Sequence, residues 1–143
     1  MKNLNKNIFT SLYQTESACV ICSLKLTQRK SNTPAVEIDS PFFNVKPSIV
    51  RIDTMSTTHS FIIHNVLNGT YVDFINSIAL CILKARLPCK LVVASSFKNS
   101  FLVYSPVDNY VHSFYSEDLT DNNLLEILKE KCNETYSKLL SNI

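Results

Sequence analysis

Between residues 17 and 27 the side chains alternate. Ala18, Val20, Cys22, Leu24 and Leu26 fall on one side, and Cys19, Ser23, Lys25 and Thr27 on the other, joined by Ile21. A period of two sends one set into a core and the other outward, so the pattern predicts a half-buried strand. Ahead of it, residues 1–16 are largely polar, with a small apolar cluster at Ile8, Phe9, Leu12 and Tyr13, a spacing that predicts one or two helical turns and an N-terminal docking arm. Behind it the periodicity stops. Pro34, Pro41, Pro47 and the run QRKSNT predict a long loop over 28–47, with Phe42, Phe43 and Val45 drawing part of it against the domain as an irregular edge segment. Strands are expected at 48–54 and 59–66, separated by the polar turn MSTT.

The turn Leu67-Asn68-Gly69-Thr70 leads into a helix over 71–86, capped by Thr70 or Asn68 and stopped ahead of Pro88. A helix lying on one sheet needs an apolar stripe a little over 100° wide. This one is apolar around more than half its circumference, and Asp73, Asn76, Ser77 and Lys84 form only a narrow polar strip. The pattern therefore predicts cover from outside the chain. It nominates Tyr71, Phe74, Ile78, Leu80 and Leu83 as a partner interface, with His64 of the preceding strand as a covered or interface histidine. The run CKLVVASSF (89–97) reads as a strand at the centre of a sheet. A two-residue hairpin at Lys98-Asn99, a strand at 100–105, a turn at 106–109 and a strand at 110–115 follow. The last helix spans 121–140, with Thr120 as N-cap and Leu119 and Leu124 as a hydrophobic staple. Leu124, Leu128, Cys132 and Tyr136 form its stripe, and Glu126, Lys129, Glu130, Glu134 and Lys138 its other side. The expected fold is one α+β domain over 1–143, mainly an antiparallel sheet with two helices packed on it.

Composition narrows the chemistry. The 143 residues carry a net charge of +2, too mild for a nucleic-acid footprint. One glycine, Gly69, excludes the glycine-rich phosphate loops and the nucleophile elbow. No apolar run reaches membrane-spanning length, and the N-terminus lacks the apolar centre of a secretory signal. Five cysteines, an odd number, fit a reducing compartment. Cys19 and Cys22 form a CxxC, but a spacing of three within a strand puts them on opposite faces, unlike convergent zinc or redox pairs. His59 and His112 read as surface positions, and neither HExxH nor His-x-His spacing occurs. No metal, cofactor or catalytic residue is expected.

The segment VLNGTYVDFINSIALCILKARLPCKLVVASSF (66–97) resembles the small proteasome assembly chaperones of the fourth or third type. In that family a strand runs into a leucine–glycine turn, a helix of about four turns follows, then a strand of the form Lys-x-Val-x-Val-Ser-Ser, and a C-terminal helix closes the domain. Leu67, Gly69, the helix 71–86, Lys90 to Ser96 and the helix 121–140 take those places here. The segment 101–115 is longer than the family pattern. The resemblance implies a non-enzymatic subunit that pairs with a structurally similar chaperone subunit as a heterodimer. It implies that the pair binds proteasome α-subunits and aids assembly of the 20S α-ring in the cytoplasm, with the nucleus as a second location.

Two other readings stay open on the residues alone. Tyr104, Tyr110, Phe114 and Tyr115 suit base stacking on a sheet face, which would make the chain a small RNA- or ribonucleoprotein-associated subunit. The order of strands and helices also suits a longin- or roadblock-like trafficking adaptor. An enzyme ranks last.

Overall fold

The structure, a computed structural model, describes residues 8–16, 18–28, 36–39, 49, 51–52, 59–86, 89–117 and 123–142. β1 (Ile8–Gln14) runs antiparallel to β2 (Cys19–Gln28), pairing Leu12 with Ile21 and Gln14 with Cys19. The N-terminal helical turns expected over residues 8–13 are thus a strand. Its alternation explains the difference: Phe9, Ser11 and Tyr13 turn inward, and Leu12 lies on the other side, half exposed. β2 follows its sequence pattern, with Val20, Cys22 and Leu24 buried.

β3 (Val36–Asp39) crosses the predicted loop and pairs in parallel with β5 (His59–Asn68), which itself runs antiparallel to β2. The four strands form one sheet in the order β1-β2-β5-β3. The loop expected over 28–47 thus contains a regular strand at Val36–Asp39, and the edge segment expected at Phe42, Phe43 and Val45 lies outside the described residues. Of the strand expected at 48–54, only β4 (Arg51–Ile52) is described, paired with β6 (Cys89–Lys90), and Ile49 beside it is buried. The MSTT turn lies outside the described residues.

α1 (Tyr71–Ala85) starts where the sequence places it. Thr70 Oγ1 accepts from the Asp73 N–H at 3.4 Å, and the Thr70 N–H donates to the Asp73 carboxylate at 2.8 Å, a capping box. Gly69 is required by space: a Cβ there would lie 2.9 Å from both Val20 Cγ2 and Asp73 Cβ. The chain's single glycine therefore lets the end of β5 press against β2 and the helix cap together. Arg86 ends the helix in the left-handed region, at φ 57°.

β7 (Val93–Phe97), β8 (Ser100–Ser105) and β9 (Tyr110–Ser116) form an antiparallel meander in that order. Lys98 and Asn99 make the predicted two-residue hairpin, both at positive φ (49° and 58°), the backbone that matches the twist of the flanking strands. The run 89–97 is interrupted at residues 91–92, and β7 is the first strand of its sheet, not a central one. α2 (Leu124–Ser141) begins after Asn123, three residues later than expected. Asn123, not Thr120, is the N-cap, and its side chain does not accept the capping bond. Thr120 and Leu119 lie outside the described residues. Leu124, Leu128, Cys132 and Leu139 are buried, and the helix packs on β7 and β8.

α1 is the centre of the molecule. It packs on β1 and β2 on one side, on β7 on the other, and touches α2. Every residue from Phe74 to Ile82 is buried. Among the described residues, two helices and mainly antiparallel sheets enclosing one hydrophobic core make this a single α+β domain.

Candidate functional site

The apolar surface of α1 at Phe74, Ile78 and Leu80 is covered by the chain itself, so these three of the nominated interface residues are core. Phe74, Ile78 and Leu80 are 0%, 2% and 3% exposed. Tyr71 and Leu83 are half-buried against the same core. A helix wedged between two layers needs apolar residues nearly all round, so width of stripe signals a second layer as readily as a partner. His64 sits on β5 opposite Ser23 of β2 and Asp39 of β3, and its side chain lies outside the description.

The polar strip of α1 is only partly a solvent face: Lys84 is exposed and Asp73 half-buried, while Asn76 and Ser77 are buried. Asn76 is buried and joined twice to one residue of β7: its Nδ2 donates to the Ala94 carbonyl at 3.0 Å, and the Ala94 N–H donates to Oδ1 at 2.8 Å. The side-chain amide stands where a neighbouring strand would stand and satisfies both backbone groups. Ser77 donates to the Phe74 carbonyl at 2.7 Å, within the helix. On the other face of the meander, Ser95 Oγ donates to the Leu128 carbonyl at 2.8 Å and ties β7 to α2.

The cysteines Cys19, Cys22, Cys81 and Cys132 are free thiols. Cys22 is buried and Cys19 lies on the opposite face, as alternation requires. The sequence did not show that Cys22 meets Cys81 of α1. Cys81 Sγ donates to the Cys22 carbonyl at 3.5 Å. The hydrogen bond between the thiols, then burial, raises Cys22 well above its ordinary value, and the same bond lowers Cys81. Burial pushes the Cys132 thiol up. These groups pack strand against helix. Among the described residues no group of three His, Cys, Asp or Glu side chains stands close enough to hold a metal ion, and no helix is long and apolar enough to cross a membrane.

Exposed apolar side chains gather on β9 and the turn before it. Val107, Val111, Phe114 and Tyr115 are 59%, 39%, 44% and 50% exposed. Among the described residues β9 is the outer strand of its sheet. By the pairing with β8, Phe114 lies on the face of Leu102, towards α2, and Tyr115 on the face of Phe101. Tyr115 stacks on Phe101 with ring centres 5.6 Å apart and planes at 23°. Tyr104, grouped with them in the sequence, is buried, and its hydroxyl donates to the Asn109 side chain. The outer strand thus presents large apolar groups on both faces and carries no Lys, Arg or Pro, the residues that ordinarily shield such strands.

No family model matches the chain, and no curated protein matches it in sequence. The fold has a solved likeness. The crystal structure of rice (Oryza sativa) Rrp46 aligns over 96% of this chain and 94% of that one, with a TM-score of 0.51 and 13% identity. At that identity the likeness concerns the fold alone.

Proposed function

We propose that this chain is a non-catalytic association subunit, one half of a heterodimeric chaperone that binds proteasome α-subunits and aids assembly of the 20S α-ring. The observation that supports association is β9, an outer strand with Val111, Phe114 and Tyr115 exposed and no charged side chain to keep other strands away. Large apolar side chains exposed together on one outer strand mark a protein contact, and a similar α+β subunit would cover both faces of the strand at once. The assignment to the proteasome rests on the resemblance of residues 66–97. The reading as an RNA-associated subunit is weaker: base stacking uses aromatics on one sheet face, whereas Phe114 and Tyr115 stand on opposite faces.

The test is affinity purification of the tagged chain from its native cell, with identification of the chains that come with it. Free proteasome α-subunits and a second chain of similar size support the proposal. Ribosomal or splicing proteins in their place overturn it.

A further inference from the structure

Two cavities join along the outer side of β7. The larger, about 400 Å³, is walled by Tyr71, Phe97, Phe101 and Tyr115, with Lys98 at its rim. The second, about 260 Å³, lies between α1 and α2 and is lined by Tyr13, Asn76, Lys131, Glu134 and Lys138. Val72 and Ser96 line both, so the two form one trough whose wall is the edge of β7. Within the described residues no strand other than β8 pairs with β7. Ala94 turns its N–H and C=O away from β8, to Asn76. Backbone groups alternate in direction along a strand, so those of Ser96, two residues on, point the same way, into the trough. Ser96 itself is exposed.

We propose that this trough binds an extended acidic peptide segment of another protein, which pairs with β7 at Ser96 and seats one apolar side chain among Tyr71, Phe97 and Phe101. An extended backbone is the natural complement of a strand edge, and recognition by strand addition combines main-chain hydrogen bonds with side-chain pockets. The charge selects the sequence: Lys98, Lys131 and Lys138 face it against Glu134 alone. A nucleic acid fits less well. Phe101 and Tyr115 stack on each other, and the ammonium groups of Lys98 and Lys131 stand 5.3 and 5.2 Å from the centre of the Phe97 ring, so a base would have to displace these partners to stack face to face, whereas an aliphatic or edge-on side chain needs only the ring edges that line the cavity. Tyr115 belongs both to this trough and to the exposed side of β9, but the experiment that tests the trough changes Ser96, Lys98 and Lys138, none of which lies on β9, so its outcome is separate from that of the association reading.

The experiment is fluorescence anisotropy on the whole chain with a labelled hexapeptide that alternates glutamate with valine and phenylalanine. Saturable binding is expected, with a Kd on the order of 10–100 μM. Exchanging glutamate for lysine, or N-methylating the central residues of the peptide, is expected to abolish it. The double variant Lys98→Glu with Lys138→Glu is expected to weaken binding about tenfold with its melting curve unchanged. Ser96→Pro removes the N–H that faces the trough, a change an outer strand tolerates, and is expected to remove binding; the N-methylated peptide asks the same question without altering the protein. The proposal is overturned by no saturable binding, by equal binding of the lysine peptide or the N-methylated one, by an unchanged Kd in the double variant, or by tighter binding of a labelled oligouridine than of the acidic peptide.

Discussion

Asn76 and Gly69 each do something that no other residue type does in their place. Leucine at position 76 would keep the branching of the side chain, with bulkier methyl groups, and leave the N–H and C=O of Ala94 buried without partners. Asn76→Leu is therefore expected to cost roughly 2–5 kcal/mol, measured by denaturant unfolding. Aspartate restores the acceptor but sets a second oxygen against the Ala94 carbonyl, so Asn76→Asp should recover little of that loss. Gly69 sits where a methyl group has no room, against Val20 and the capping box. Gly69→Ala is expected to cost about 1–3 kcal/mol, and combined with Val20→Ala it should cost less than the sum of the two single changes, because Val20 Cγ2 is one of the two atoms in the way.

At the scale of elements, the two helices and the meander were legible because each carries its own signal: Thr70 at a helix start, a paired turn at Lys98-Asn99, a one-sided stripe in α2. The environment of α1 was not. A stripe reports how much of a helix is covered and says nothing of what covers it, so Phe74, Ile78 and Leu80 read as an interface when they are core. The N-terminal strand was missed for a related reason. Ile8, Phe9, Leu12 and Tyr13 satisfy a helical spacing, and the small buried Ser11, which completes the strand alternation with Phe9 and Tyr13, is invisible to a hydrophobic count. The candidate surface was half visible: the sequence offered Phe114 and Tyr115 as one aromatic group, and only the pairing with β8 separates their faces. The corrected assignment makes a paired prediction. Leu80→Glu puts a charge into the core and is expected to unfold a domain whose whole stability is on the order of 5–15 kcal/mol. Phe114→Glu, on the outer strand, should leave the thermal midpoint nearly unchanged and reduce both self-association of the purified chain and recovery of its partners. A folded Leu80→Glu, or a Phe114→Glu that melts early, would reverse the assignment. Circular dichroism and analytical ultracentrifugation on the two variants decide it.

For the molecule as a whole, alkaline pH reports how tightly the layers close. Burial raises the phenol of Tyr13, which lies between β1 and α1, above its ordinary 10.0, and burial likewise raises Tyr71. A folded value above the unfolded one means that the folded state holds its proton more firmly. The stability this contributes is whole below pH 10.0 and is lost as pH rises through the folded value. Tyr13→Phe has no proton to lose, so its unfolding free energy should fall less than that of the parent between about pH 8 and about pH 11; equal slopes would mean that Tyr13 is as well hydrated folded as unfolded. The Asn76 amide has a consequence at this same scale. Sliding α1 along β7 by one residue moves each side chain about 1.5 Å along the axis and turns it about 100°, and neither bond to Ala94 survives that step. Greasy packing alone tolerates such slippage, since one methyl group serves nearly as well as the next. The amide acts as an indexing pin, admitting one axial setting of the helix and rejecting its neighbours. Because one layer rests on one side of α1 and the meander on the other, that setting also fixes where β9 stands relative to β1. Apolar residues elsewhere in the core are then free to change identity over evolutionary time while the spacing between the two layers stays put.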